Sequence, residues 1–328
     1  LPTQALAKAL KVAPRRSDPA LDSFRAELEA SWEQLDGAMT LPRFDGMLVL
    51  ERAAARTIFM FAGGVHPVVV CKIPRNAPDT IEREASALVK AGSFGLAPRF
   101  LGVAAGSWVQ EGIAGAPLEV QPIEPDDIVP LPWPEGLAQT SRALERLAAG
   151  TSASAGLDEN VRRLLEGAAS SELVSRATRH RVEKTIDDLE EMNTGVLKHS
   201  DTSPQNCLFH EGSFRSFIDW EMAEMNGMPA ADVLNGAVSY LEHGIGLARW
   251  SEDAIVESFR SGWSSSPFFE AARAAARDAA SAAGVGGVIG SLEVAFFARR
   301  LGRRLVSPDR FPTGPRTAAR ILDIVCAY

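Results

Sequence analysis

Hydrophobic positions recur along the chain with two different periods. From Ala20 the stripe Leu21, Phe24, Leu28, Trp32 and Leu35 has helical spacing, and Asp18-Pro19 supplies a start signal. Residues 1–19, punctuated by Pro2, Pro14 and Pro19, read as a loosely ordered lead-in. Runs rich in Val, Ile and Phe then occupy residues 47–51, 57–61 and 68–73. Short turns join them into an antiparallel meander. Ile81, Ala85, Leu88 and Val89 mark a helix, capped at Asp79 or Thr80 and stopped at Ala91-Gly92. Residues 96–102 and 107–113 read as two further strands.

The second half is helical in period. Pro122, Pro125, Pro130, Pro132 and Pro134 exclude a helix or a central strand from residues 121–134. Helical stretches follow at 135–149, 159–168 and 171–192, and Ala-rich helices run on to about residue 283. One segment breaks this pattern. Short apolar runs at 207–209 and 217–218 flank His210-Glu211-Gly212-Ser213, the pattern of a β-hairpin. Asp201 and Asn206 enter it and Asp219 leaves it, so the three are expected to converge. Two carboxylates and an amide oxygen together suit Mg²⁺ that also holds phosphates.

His199-Ser200-Asp201 with Asn206, followed by Ile218-Asp219-Trp220, resembles the catalytic loop and metal-binding segment of the kinase fold. The pattern is similar above all to the aminoglycoside phosphotransferase family, whose motifs commonly run His-Gly-Asp-x-x-x-x-Asn and Ile-Asp-Trp. The likeness spans roughly residues 47–241. It implies an α+β, bilobal protein-kinase-like fold. The expected nucleotide-binding lobe, residues 1–110, is a small antiparallel sheet with one key helix and a helical lead-in at about 20–36. The expected second lobe, 111–328, is larger and mainly helical, and carries the catalytic loop and the substrate site.

The resemblance implies roles as well. Asp201 orients the attacking hydroxyl and accepts its proton, while Asn206 and Asp219 ligate Mg²⁺. Lys72 pairs with Glu84 and reaches the phosphates of ATP or GTP, with Glu82 facing solvent. The backbone of Gln110, Glu111 and Ile113 receives the base. On the residues alone, Lys72 is equally a strand-end lysine, and 107–113 equally an edge strand. Asp232, in Gly227-Met228-Pro229-Ala230-Ala231-Asp232, corresponds to an aspartate that braces the catalytic loop, with Met228 where Asp is common. The turn Arg52-Ala53-Ala54-Ala55-Arg56 departs from the pattern, because a loop without glycine cannot bring its amides close to phosphates. Arg52 or Arg56 is expected to substitute by charge.

Protein kinases usually place Lys where Ser203 stands. The twelve residues between Asp219 and Asp232 leave no room for a long activation loop. The expected activity is therefore transfer of the γ-phosphate of ATP or GTP to a hydroxyl of a sugar-, aminoglycoside- or metabolite-like small molecule. The alternatives are a catalytically silent kinase-like binding module and an atypical protein kinase.

Composition narrows the setting. A chain of 328 residues calls for two lobes rather than one small core. A net charge of −8 argues against a nucleic-acid partner. No apolar run reaches the roughly 18 residues of a membrane span. Cys71, Cys207 and Cys326 are scattered and odd in number, which points to a reducing compartment, the cytoplasm. Arg299, Arg300, Arg303, Arg304, Arg310, Arg316 and Arg320 form a basic block with Asp309 as its one acid. Such a block reads first as a solvated helix face. If it instead walls the cleft, the acceptor is neutral or anionic rather than polycationic.

Overall fold

The computed structural model describes residues 19–35, 40–51, 55–75, 78–124, 127–248, 251–308 and 313–328. The lead-in up to residue 18, Arg52 and Arg310 lie outside them. In chain order, α1 (Pro19–Ala30) and a 3-10 turn at Trp32–Gln34 precede β1 (Gly46–Glu51), β2 (Ala55–Phe61), β3 (Val69–Pro74) and α2 (Pro78–Gly92). Next come β4 (Phe100–Ala104), β5 (Ser107–Glu111), β6 (Ala116–Pro117), α3 (Glu135–Thr151), β7 (Ala153–Ser154), α4 (Glu159–Ala169) and α5 (Arg176–Met192). The strands β8 (Thr194–Lys198), β9 (Cys207–His210), β10 (Ser213–Phe217) and β11 (Glu224–Gly227) follow. The chain ends in α6 (Ala231–Ala248), α7 (Glu252–Gly262), α8 (Pro267–Ala282), α9 (Ile289–Val306) and α10 (Pro315–Ala327). These elements form two compact units. One takes Leu1–Pro117 with Leu208–Glu221, the other Leu118–Cys207 with Met222–Tyr328.

The first unit is an antiparallel sheet of order β1-β2-β3-β5-β4. Strand β5 is thus internal, not an edge strand. Its Trp108 and Val109 are buried, as an interior position demands. The stripe of α1 packs on one sheet face, where Phe24, Leu28, Trp32 and Leu35 meet Ile58, Met60, Val69, Cys71 and Val109. Cys71 belongs to that core, so strand alternation sends Lys72 to the opposite face. Helix α2 begins at Pro78, which places Asp79 and Thr80 inside its first turn rather than at a cap. Its buried stripe is Glu84, Ala87, Leu88 and Ala91, whereas Val89 is exposed. The helix is rotated from the apolar count because a carboxylate occupies a core-facing position. β9 and β10 form the expected hairpin through Glu211 and Gly212, at φ 50° and 76°. Both central residues in the left-handed region suit the strong twist of a two-residue hairpin.

The second unit is helical, with a small antiparallel sheet of order β11-β8-β7. Helix α5 starts at Arg176 rather than 171, because the Ser175 hydroxyl accepts the Thr178 N–H at 3.1 Å and caps it there. Helix α9, which carries the first half of the basic block, packs on α4, α5 and α10. Leu292, Val294, Ala295, Phe296, Phe297, Ala298 and Leu301 are all buried, and so are Arg299 and Arg304. With neighbours on several sides, this helix buries even some of its charged positions. The solvated-face expectation therefore fails for Arg299 and Arg304. Among the described residues, no helix is long and apolar enough to cross a membrane.

Candidate active site

The residues singled out in the sequence fall into two sets, one in each unit. In the first unit, Lys72 Nζ lies 2.6 Å from Glu84 Oε1 and 2.8 Å from Asp219 Oδ1. It also stands 5.2 Å over the Trp108 ring. Burial pulls the Lys72 pKa down, but Glu84 and Asp219 outweigh it and hold the ammonium above the ordinary lysine range. Glu84 is buried and Glu82 is exposed, which decides between the two acids of α2. Asp219 follows β10 at φ 66°, a left-handed conformation that a non-glycine residue adopts at some energetic cost. Buried Phe217 and Trp220 on either side hold that turn, and the Trp220 Nε1–H donates to Phe217 O at 3.0 Å.

The end of β5 is largely committed to the sheet. The Glu111 N–H donates to Arg99 O at 2.9 Å and the Gly112 N–H to Val68 O at 2.9 Å. Gln110 is buried beside them. Arg56 pairs across the first hairpin with Glu51 at 2.7 Å, so its charge is partly neutralised.

The second unit holds the loop expected to be catalytic. Asn206 Nδ2 donates to the Asp201 carbonyl at 3.0 Å and to Asp201 Oδ2 at 2.9 Å. The amide is thereby oriented with its oxygen away from Asp201. The Asp201 N–H donates to His199 Nδ1 at 3.2 Å. Asp232 is buried, and its carboxylate accepts the N–H of His199 and, at 2.9 Å, that of Ser200. The Thr202 hydroxyl donates to the Asp232 carbonyl at 2.6 Å. Ser200 takes φ 72°, which accounts for the glycine common at this position in the resembling pattern. Here a serine occupies it, and its hydroxyl donates to Glu224 Oε1 at 2.9 Å.

Glu224 is the residue that sequence reasoning missed. It accepts from Lys198 Nζ at 3.1 Å and Arg299 Nη1 at 3.1 Å, and Arg303 lies 3.8 Å away. Gly227 makes room for this cluster, since a Cβ there would meet Lys198 Cβ at 2.6 Å. Burial raises the Glu224 pKa, but Lys198 and Arg299 outweigh it and hold the carboxyl well below the ordinary glutamate range. A depressed carboxylate contributes stability that is present above the unfolded pKa and is lost as pH falls. Glu224→Gln is accordingly expected to cost about 3 kcal/mol at neutral pH. It should also flatten the decline of stability below pH 4.5. Denaturant unfolding across a pH series measures both. An acid limb as steep as the wild type's would refute the assignment.

Among the described residues, no group of three or more His, Cys, Asp and Glu is arranged to hold a metal ion. Taken singly, Asn206 in the second unit offers an amide oxygen and Asp219 in the first a carboxylate, both hard oxygens of the kind Mg²⁺ takes. A ligand-sized feature lies wholly in the second unit. It is a cavity of about 300 Å³ lined by Ser200, Asp201, Asn235, Ser239 and Glu242 together with arginines of α9.

Comparison with known proteins agrees with this description. The model of the phosphotransferase enzyme family APH matches residues 51–277, more than half of the chain. The chain belongs to that family. It is a small-molecule kinase, a phosphotransferase with a hydroxyl acceptor, built on the protein-kinase-like α+β fold. Aminoglycoside phosphotransferase APH(4)-Ia is 15% identical with a TM-score of 0.51, covering 93% of this chain and 98% of that one. A thermostable mutant of it, solved with AMP-PNP and hygromycin B, is 15% identical over 91% and 97%, with a TM-score of 0.51. Choline kinase from Cryptosporidium parvum Iowa II is 11% identical over 94% of both chains, with a TM-score of 0.50. No curated protein sequence matches this chain.

Proposed function

We propose that the chain transfers the γ-phosphate of ATP or GTP, with Mg²⁺, to a hydroxyl of a small molecule. The first unit would handle the nucleotide and the second the acceptor. The observation that carries this reading is Lys72, fixed between Glu84 and Asp219 at 2.6 and 2.8 Å. A charged amine so held is ready for phosphate oxygens. Ile113 would receive the base, with Gln110 and Glu111 keeping the strand in register. Arg56, and Arg52 outside the described residues, would add positive charge at the turn that lacks glycine.

In the reaction, the acceptor oxygen attacks the γ-phosphorus as its proton passes to the Asp201 carboxylate. The bond from phosphorus to the bridging oxygen breaks, and the nucleoside diphosphate leaves. Asn206 and Asp219 would hold Mg²⁺, which when bound neutralises charge on the β- and γ-phosphate oxygens. Positioning and electrostatics supply most of the rate in such transfers.

ADP and GDP release over a panel of hydroxyl compounds, with and without Mg²⁺, tests the reading. Nucleotide-dependent phosphorylation of an acceptor is the expected result. A chain that binds nucleotide and turns over nothing would be the silent binding module instead. Asp219→Asn is expected to abolish the tightening of nucleotide binding by Mg²⁺, because an anionic oxygen ligand is lost. Calorimetry that finds the same Mg²⁺ dependence in the variant would sink the metal assignment.

A further inference from the structure

We infer that Ser200 is a positioning residue for the transfer: its hydroxyl, tethered to Glu224, holds the turn that presents the Asp201 carboxylate to the acceptor. The inference rests on the phosphotransferase reading, since that reading gives Asp201 its role. Every residue involved belongs to the second unit.

The tether begins with strand pairing. In the ladder between β8 and β11, Glu224 stands directly opposite Lys198, the last residue of β8. The chain leaving β8 reaches Ser200 two residues later, so pairing sets the Glu224 side chain beside the root of the loop. The Ser200 hydroxyl donates to Glu224 Oε1 at 2.9 Å. That carboxylate is a fixed acceptor rather than a loose surface group. Lys198 Nζ donates to Oε1 at 3.1 Å, Arg299 Nη1 to Oε2 at 3.1 Å and Arg299 Nη2 to Oε1. Arg303 lies 3.8 Å away. The Lys198 and Arg299 side chains are 5% and 9% exposed, so the acceptor is anchored from the interior. Hydrogen bonds to an ionised carboxylate are the stronger kind.

The backbone of Ser200 explains why such a hold matters. At φ 72° the residue lies in the left-handed region, where a side chain carries a strain that glycine escapes. The bond to Glu224 offsets that strain. Backbone contacts secure the loop on its buried side. Asp232 accepts the N–H of His199 and of Ser200, and the Asp201 N–H donates to His199 Nδ1. His199 and Asp232 are buried, whereas Ser200 and Asp201 line the cavity of about 300 Å³. The hydroxyl of Ser200 therefore secures the loop on its cavity side. Asn206 holds one oxygen of the Asp201 carboxylate, at 2.9 Å. The direction from which that side chain leaves the backbone is set by the turn at Ser200. The Ser200 proton is committed to Glu224, so loss of the hydroxyl falls on kcat rather than on KM.

Steady-state kinetics on the intact chain, with its best acceptor, tests the inference. Ser200→Gly removes the hydroxyl and leaves a backbone at ease with positive φ. It should lower kcat by about tenfold, the scale of one hydrogen bond to a charged group, with KM for acceptor and nucleotide little changed. Ser200→Asn should recover part of kcat, because asparagine tolerates the left-handed region and its amide donates. Adding Glu224→Ala to Ser200→Gly should lower kcat no further, since the tether is already gone. Wild-type turnover in Ser200→Gly, a loss carried by KM for the acceptor, or additive losses in the pair overturns the inference. The Ser200 variants leave Lys198 and Arg299 paired with Glu224, so they decide the matter if Glu224→Ala fails to fold.

Amide hydrogen exchange reads the hold without turnover. Ser200→Gly should lower protection of the Asp201 amide by about tenfold and leave the amides of α7 unchanged. Unchanged protection at Asp201 overturns the inference. Lost protection there, in a chain that phosphorylates no acceptor, upholds the tether and sinks the phosphotransferase reading.

Discussion

Asp201→Asn is expected to lower kcat by about 10²–10⁴-fold, the range for loss of a positioned general base, while leaving the fold and nucleotide affinity intact. The substitution preserves shape, and the loop is held mainly through atoms it does not alter. Asn206 Nδ2 still has the residue 201 carbonyl, at 3.0 Å, and the backbone N–H still has His199 Nδ1, at 3.2 Å. Only the bond to Oδ2 depends on the side chain. A fall in kcat with unchanged nucleotide Kd therefore isolates proton acceptance from scaffolding. Steady-state kinetics with the best acceptor, beside calorimetry with the nucleotide, measures the two separately. Turnover close to the wild type's in a folded variant would remove Asp201 from the chemistry.

What was legible in the sequence follows from how local each signal is. The hairpin after Asn206 announced itself through two apolar runs and a Glu-Gly turn, all within a dozen residues. Lys72 and Glu84 are twelve apart, and strand alternation with helical spacing brought them together once both elements were placed. The position of β5 inside the sheet was not legible, because an interior strand and an edge strand share the same period. The apolar stripe of helix α2 was right at Leu88, which is buried, and wrong at Val89, which is exposed. The count of apolar residues gave weight to Val89, whereas the core-facing positions include the carboxylate of Glu84.

The arginines show the same limit more sharply. Arg299 with Arg303 and Arg300 with Arg304 are spaced four apart, so each pair lies on one side of its helix. That spacing says the charges are gathered, but not whether water or a cavity faces them. The neighbouring Phe296, Phe297 and Leu301 were the available clue that the helix is internal. Glu224 carried no signal of its own. Its importance arises from partners as distant in sequence as Arg299, which only the fold of the second unit brings to it.

Asp232→Ala is expected to cost about 3–5 kcal/mol of stability and also to lower kcat by about 10²-fold. The carboxylate is buried and accepts two backbone N–H groups, from His199 and Ser200. Alanine would leave both donors without that acceptor in a space too enclosed for easy hydration, and each such loss costs about 1–3 kcal/mol. Ser200 sits at φ 72°, a conformation that persists only where its surroundings hold it. Once the brace is gone, Ser200 is free to relax toward the ordinary regions of backbone space and to carry Asp201 with it. The effect on rate should then fall on kcat rather than on KM for the nucleotide, since Lys72, Glu84 and Asp219 belong to the other unit. Asp232→Asn separates the two consequences. Its single carbonyl oxygen can satisfy one N–H well and the other poorly, so it should recover much of the stability and less of the turnover. Denaturant unfolding and steady-state kinetics on both variants make the comparison. Full turnover in Asp232→Ala, at a temperature where it stays folded, would show that the loop holds its shape without the brace.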